Sequence, residues 1–221
     1  RCRKSAGWGF ARVLGPGTPP LRVNSLGTVR GAANTDHVGS PGLHFLGHST
    51  VRVELAGCTV LTDPVLTSSV GALRRVVPVP DPALWDGVDV VLLSHLHADH
   101  LHLPSLRLLA TGTRLVVPRG AGPWLRRRGF PAVDEIAAGE TLALGGLRIT
   151  AVHAEHSGHR WGPRVTSGPT TQAVGHLLEG LPALRGGRGT GQDQRPHGSL
   201  GQEVRGRVEV QAAGDHHEHG V

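Results

Sequence analysis

The sequence predicts an α/β fold, with mixed β-sheets carrying helices on their outer faces. Three observations carry this reading. Several stretches alternate apolar and polar residues across short turns, as antiparallel strands do. One β-branched apolar run, VDVVLLSH at 88–95, reads as a strand buried on both faces. Short leucine-spaced stretches with helix punctuation lie between such strands, which favours a mixed sheet over a purely parallel array.

The elements follow in order. LHFLG at 43–47 and TVRVELAGCTVLTDP at 50–64 alternate around an Ala56-Gly57 turn. After the 88–95 strand, LPSLRLLA at 103–110 places Pro104 early and spaces its leucines helically. TRLVVP at 113–118 is a further strand, and AGPWLRRRGF at 121–130 a short helix closed by Gly129. ETLALGGLRITAVHAEH at 140–156 is a hairpin through Gly145-Gly146, and AVGHLLEG at 173–180 one more strand. Residues 1–42 lack period and read as an irregular basic leader. Residues 181–221 hold nine glycines without a sustained period and read as a low-complexity tail, expected to be disordered. The folded domain is therefore expected over 43–180.

Charge narrows the function classes. The chain carries a formal +6, yet Arg1, Arg3, Lys4, Arg12, Arg22 and Arg30 against Asp36 put +5 of it in the first 42 residues. The core is nearly neutral, so a nucleic-acid partner is weakly supported. No run approaches the ~18 apolar residues of a membrane helix, and no apolar segment follows the charged start as in a signal peptide. The cytoplasm is the default location. Cys2 and Cys58 make no disulfide framework, and Cys58 reads as a small buried apolar residue.

The chemistry concentrates in SHLHADH at 94–100, directly after the buried strand. His95 and His97 are two apart on an extended strand end, point to one side and can chelate one ion at about 2 Å. Asp99 and His100 aim at a neighbouring position where a second ion fits. Two ions ~3.5–4 Å apart share a bridging hydroxide and polarise the bond it attacks. The lone histidines His44, His102 and His176 read instead as solvated.

SHLHADH resembles the signature of the metallo-β-lactamase-fold hydrolases. GHST at 47–50, LTDP at 61–64 and HAEHSGHRWGPR at 153–164 agree in order and spacing. As a set they resemble the subgroup of ascorbate-phosphate lactonases and N-acyl-phosphatidylethanolamine phospholipase D-like proteins. The resemblance implies an αββα fold and a hydrolase that attacks a phosphoester, lactone or related ester with a metal-bound hydroxide. His156 would join His95 and His97 on the first ion, while Asp99 and His100 would hold the second and serve catalysis. Asp63 would orient a ligand imidazole from behind, although a plain turn Asp before Pro64 reads as well. His48 would take a substrate or supporting role.

The cofactor implied is Zn2+, one or two ions, with Mn2+ or Fe2+ as the other ions such a site takes. The partner implied is a small-molecule or lipid-like ester or phosphoester. The family pattern continues with a strand ending in Gly-Asp-Thr, and here LPALRGGRGTG stands instead. Only AAGDHHEHG near the end offers a bridging carboxylate, Asp215, and chance similarity in a Gly- and His-rich tail reads better. The second half is therefore expected to be incomplete, leaving a non-catalytic, metal-binding chain as the alternative to an enzyme. A nuclease of the same superfamily is a further alternative.

Overall fold

The computed structural model describes residues 10–13, 42–160, 168–181 and 207–211. Strand β1 (Phe10–Val13) is followed by three antiparallel neighbours, β2 (Gly42–Gly47), β3 (Thr50–Leu55) and β4 (Cys58–Thr62). The β3–β4 turn is two residues long, with Ala56 at φ 52° and Gly57 at φ 76°. Positive φ at both centres gives the twist that suits the flanking strands.

A small hairpin follows, β5 (Ser69–Val70) and β6 (Leu73–Arg74), and then the buried strand β7 (Val90–Leu92). Helix α1 (Leu103–Leu106), β8 (Arg114–Pro118), α2 (Gly122–Arg126) and β9 (Val133–Ile136) complete the first half. Strands β10 (Thr141–Leu144), β11 (Leu147–His153), β12 (Val174–Gly180) and β13 (Arg207–Gln211) form the second.

The strands make two main sheets. One has the order β2-β3-β4-β7-β8-β9, antiparallel as far as β4 and parallel from β4 to β9. The other has the order β1-β13-β12-β11-β10 and is antiparallel throughout. The mixed sheets with outer helices are those read from the sequence. Strand β7 shows why its run is apolar at every position. Val90 and Leu92 pack between the sheets with Val53, Val116, Ile149 and Leu178, whereas Val91 and Leu93 pack under the helices with Leu106, Trp124 and Leu125. No helix among the described residues is long and apolar enough to cross a membrane.

Three expectations change. The leader and tail, read as irregular and disordered, each contribute a strand: β13 pairs with β12 on one side and with β1 on the other. Four or five residues are too few to display a period, and their partners lie far along the chain. The second half, read as incomplete, supplies four strands of the five-stranded sheet, the fifth being β1, and its described elements include no helix. His102 and His176, read as solvated, are buried at 8% and 2% exposure. His102 sits at the start of α1, its Nδ1 2.7 Å from Ser105 Oγ. His176 faces inward from β12, and burial pushes its pKa down to about 4 against an opposing pull from Asp63. Cys58 is half-buried and packs against the core between the sheets.

Candidate metal centre

The site lies where β7 ends. Parallel strands put their carboxyl ends at one edge, and the chain there must leave the sheet in a loop. Residues 94–102 form that loop, closed by His100 N–H and Leu101 N–H donating to the His97 carbonyl. The Val174 N–H donates to the Ser94 carbonyl at 2.9 Å, which fastens the loop to the second sheet.

The structure brings His95, His97 and His156 together, with one nitrogen of each within 4.8 Å of the others. His97 Nδ1 and His156 Nε2 are 3.2 Å apart, though 59 residues separate them in sequence. Two nitrogens bound tetrahedrally at ~2.0–2.1 Å stand roughly 3.3 Å apart. His153, three residues earlier, is exposed at the end of β11. A second group adjoins the first: His48, Asp99 and His100 also offer donors within 4.8 Å of one another. The His95 and His100 ring centres are 3.9 Å apart. His48, read from the sequence as taking a substrate or supporting role, thus stands among the candidate donors. Asp215 lies outside the described residues.

Asp63 sets the proton positions. Its Oδ1 accepts from Ser94 N–H at 2.8 Å, and its Oδ2 accepts from the Ser94 hydroxyl at 2.6 Å. His100 Nδ1 lies 2.9 Å from the same Oδ2. Burial would raise the Asp63 pKa, but the His100 charge and hydrogen bond, with His95 and Ser94, outweigh it and hold the carboxyl below its usual range. An ionised carboxylate only accepts, so His100 donates from Nδ1. The one Ser94 proton is committed to Asp63, so the 2.9 Å contact between Ser94 Oγ and His95 Nδ1 requires His95 to donate. Both imidazoles, when neutral, therefore keep their lone pair on Nε2.

The His95 Nε2 is buried and has no hydrogen-bond partner among the described residues. Burial, followed by the charge of His100, pushes the His95 pKa down to about 2, so the ring is neutral at ordinary pH. A dry, neutral imidazole with its lone pair aimed at two more imidazoles fits a divalent cation. The second group is wetter, with the His48 and Asp99 side chains 39% and 36% exposed and 3.1 Å apart. Burial raises the Asp99 pKa, but the His48 hydrogen bond and the charges of His100 and His48 hold the carboxyl well below the usual range.

Backbone geometry supports these placements. His48 has φ 55° and Asp63 φ 36°, left-handed conformations that cost non-glycine residues energy and cluster at functional sites. Sequence reasoning missed two supporting residues. Ser94 opens the SHLHADH motif itself, so its signal was adjacency. Arg160 reaches from HSGHR to donate to the Leu96 and Leu101 carbonyls at 3.0 and 2.9 Å, bracing both ends of the ligand loop. Its guanidinium stands 4.9 Å from the Trp124 ring centre.

The family described as Beta-lactamase superfamily domain matches residues 58–187, more than half of the chain. A metal-dependent hydrolase of Methanopyrus kandleri is 35% identical over 113 residues, covering 51% of this chain and 46% of that protein. An uncharacterised protein of Mycobacterium tuberculosis is 34% identical over 133 residues, covering 56% of this chain and 36% of that protein. The chain thus spans about half or less of the length of these relatives. Among solved structures, a metallo hydrolase of the archaeon Ignicoccus hospitalis aligns at 23% identity with a TM-score of 0.48, over 62% of this chain and 54% of that one.

Proposed function

The chain belongs to the Beta-lactamase superfamily domain family, and from that premise we propose that it is a metal-dependent hydrolase of a small ester, lactone or phosphoester. The carrying observation is the pair of adjoining donor groups at the end of β7, with their imidazole protons set from behind by Asp63 and Ser94. We assign His95, His97 and His156 to one divalent ion, with zinc as the ion that three imidazoles suit. His48, Asp99 and His100 are assigned to a second. A bound metal supplies Lewis acidity, polarising the ester or phosphoryl oxygen and lowering the pKa of water.

The chain's own residues do the rest. Asp63 and Ser94 hold protons on the Nδ1 atoms of His100 and His95, which keeps the Nε2 lone pairs available. Asp99, ionised and 3.1 Å from His48 Nε2 through Oδ2, would share the second ion with His48 and is suited to accept a hydrogen bond from attacking water on its other oxygen. Its depressed pKa suits it poorly to store the proton, so the proton leaves with the product alcohol. Arg160 keeps the ligand loop from spreading.

Zinc titration of the metal-stripped full chain, with hydrolysis assays on p-nitrophenyl acetate, a γ-lactone and bis-p-nitrophenyl phosphate, tests this reading. One tight and one weaker equivalent are expected, since the second donor group faces solvent, with turnover of at least one substrate class. His97→Ala should abolish the tight equivalent, whereas His44→Ala should retain it. Equal metal content in both variants would refute the ligand assignment. Tight metal without turnover of any class would favour the non-catalytic reading.

A further inference from the structure

A cavity of about 360 Å³ opens beside the second donor group. His48 and Asp99 belong to its lining, together with Phe45, Val70, Leu73 and Val77. The β5–β6 hairpin and the irregular segment 75–77 after it supply one wall. This wall is fixed in place: the Arg75 guanidinium donates to the Val65 and Leu46 carbonyls at 2.6 and 2.5 Å. Gly47, at φ 104°, lets the wall approach the β2–β3 turn, because a Cβ there would come within 2.8 Å of Val77 Cγ2. Arg75 is thus committed to carbonyls, which leaves Arg74 as the other cation in a lining that is otherwise largely aliphatic.

A second observation points to the same segment. Leu73 is 69% exposed, Val76 99%, Val77 45% and Val79 47%, four of the six large exposed aliphatics among the described residues. Such concentration within seven residues, beside a candidate reaction site, marks a binding surface and not scattered exposure.

We propose that this cavity takes the uncharged alkyl or acyl arm of the substrate, with its ester group at His48 and Asp99. The ester assignment rests on the hydrolase reading, while binding of the arm does not. Hydrolysis adds water across the acyl C–O bond, giving the alcohol and the carboxylic acid, which ionises at neutral pH, while the hydrocarbon chain of either arm carries no charge. Each methylene that enters the cavity should tighten binding up to about fourfold.

The test uses two readouts on the full chain. Binding of 1-hexanol and of ethanol to the metal-stripped protein is measured by ligand-observed NMR. With zinc restored, kcat/KM is compared for p-nitrophenyl hexanoate and acetate. Hexanol is expected to bind at least tenfold more tightly than ethanol, and the hexanoate to react at least tenfold faster. The Leu73→Asp/Val77→Asp double variant, altered at exposed positions, should bring both ratios to within about twofold of unity.

Ratios near unity in the parent chain, or ratios unchanged in the variant, would overturn the proposal. A concentration-dependent dimer lost in the variant, without an alcohol preference, would also overturn it by assigning the surface to a second copy. A tenfold alcohol preference lost in the variant, with no hydrolysis of either ester, would leave the arm site standing and reject the hydrolase reading.

Discussion

Replacing Asp63 with Asn tests the proton arrangement behind the candidate ligands. Asn is nearly isosteric and tolerates the left-handed backbone at this position, so strain is held constant. It nevertheless exchanges one acceptor oxygen for a two-proton donor. The Ser94 N–H requires an acceptor at the Oδ1 position, so the new NH2 must occupy the Oδ2 position. There it meets the Ser94 hydroxyl and His100 Nδ1, both of which now donate to Asp63. Both must turn round and accept. Ser94 then donates to His95 Nδ1, and protons move to Nε2 on His95 and His100.

One substitution thus blocks a nitrogen in each donor group. Outer partners of this kind are each worth about 10- to 100-fold in metal affinity, or ~1.4–2.8 kcal/mol. Two affected imidazoles place the expected loss at the upper end, about 100-fold. The fold should persist with a loss of about 1.5–3 kcal/mol in stability, the cost of removing hydrogen bonds to a charged group. Zinc affinity is read by competition with a chromophoric chelator, with exposed Asp86→Asn as the control. Zinc binding by Asp63→Asn within twofold of the parent chain, with the circular dichroism unchanged, would refute the reasoning.

Two further predictions follow from the same structure. A Cβ on Gly158 would fall 1.4 Å from the Thr171 carbonyl oxygen, so Gly158→Ala must displace the loop that carries His156. Zinc affinity should fall at least tenfold; elemental analysis showing full occupancy after dialysis would refute this. His176 has a folded pKa of about 4 against 6.5 unfolded, so the unfolded chain binds the extra proton between those values. Its contribution is complete above pH 6.5 and is lost as pH falls toward 4, at up to about 1.4 kcal/mol per pH unit. Urea unfolding of His176→Leu should therefore show a shallower loss of stability from pH 6.5 to 5; an unchanged slope would refute the assignment.

Local order carries chemical information when neighbours in sequence are neighbours in space. The run 90–93 had to be a strand buried on both faces, because every position is apolar, and the structure divides its residues between two cores. The Ala56-Gly57 and Gly145-Gly146 turns were legible for the same reason, since a hairpin turn is chosen by its own two residues. His95, His97, Asp99 and His100 share one loop, so their spacing alone implied convergence. The family resemblance extended this to His156.

Other features depend on which strands stack, which no local period records. The sequence by itself determined strands β2 to β4, β7, β8 and β10 to β12, the cluster after β7 and its suitability for a cation. Tertiary structure alone decided that His48 joins Asp99, from a turn 51 residues away, and that Ser94 couples Asp63 to His95. It also paired β13 with β1, and set the exposed aliphatics of 73–79 beside the donors. Side-chain period reports only which face of an element is apolar. The partner of that face is chosen when the sheets close on one another, and the metal-capable groups meet at the edge where they do.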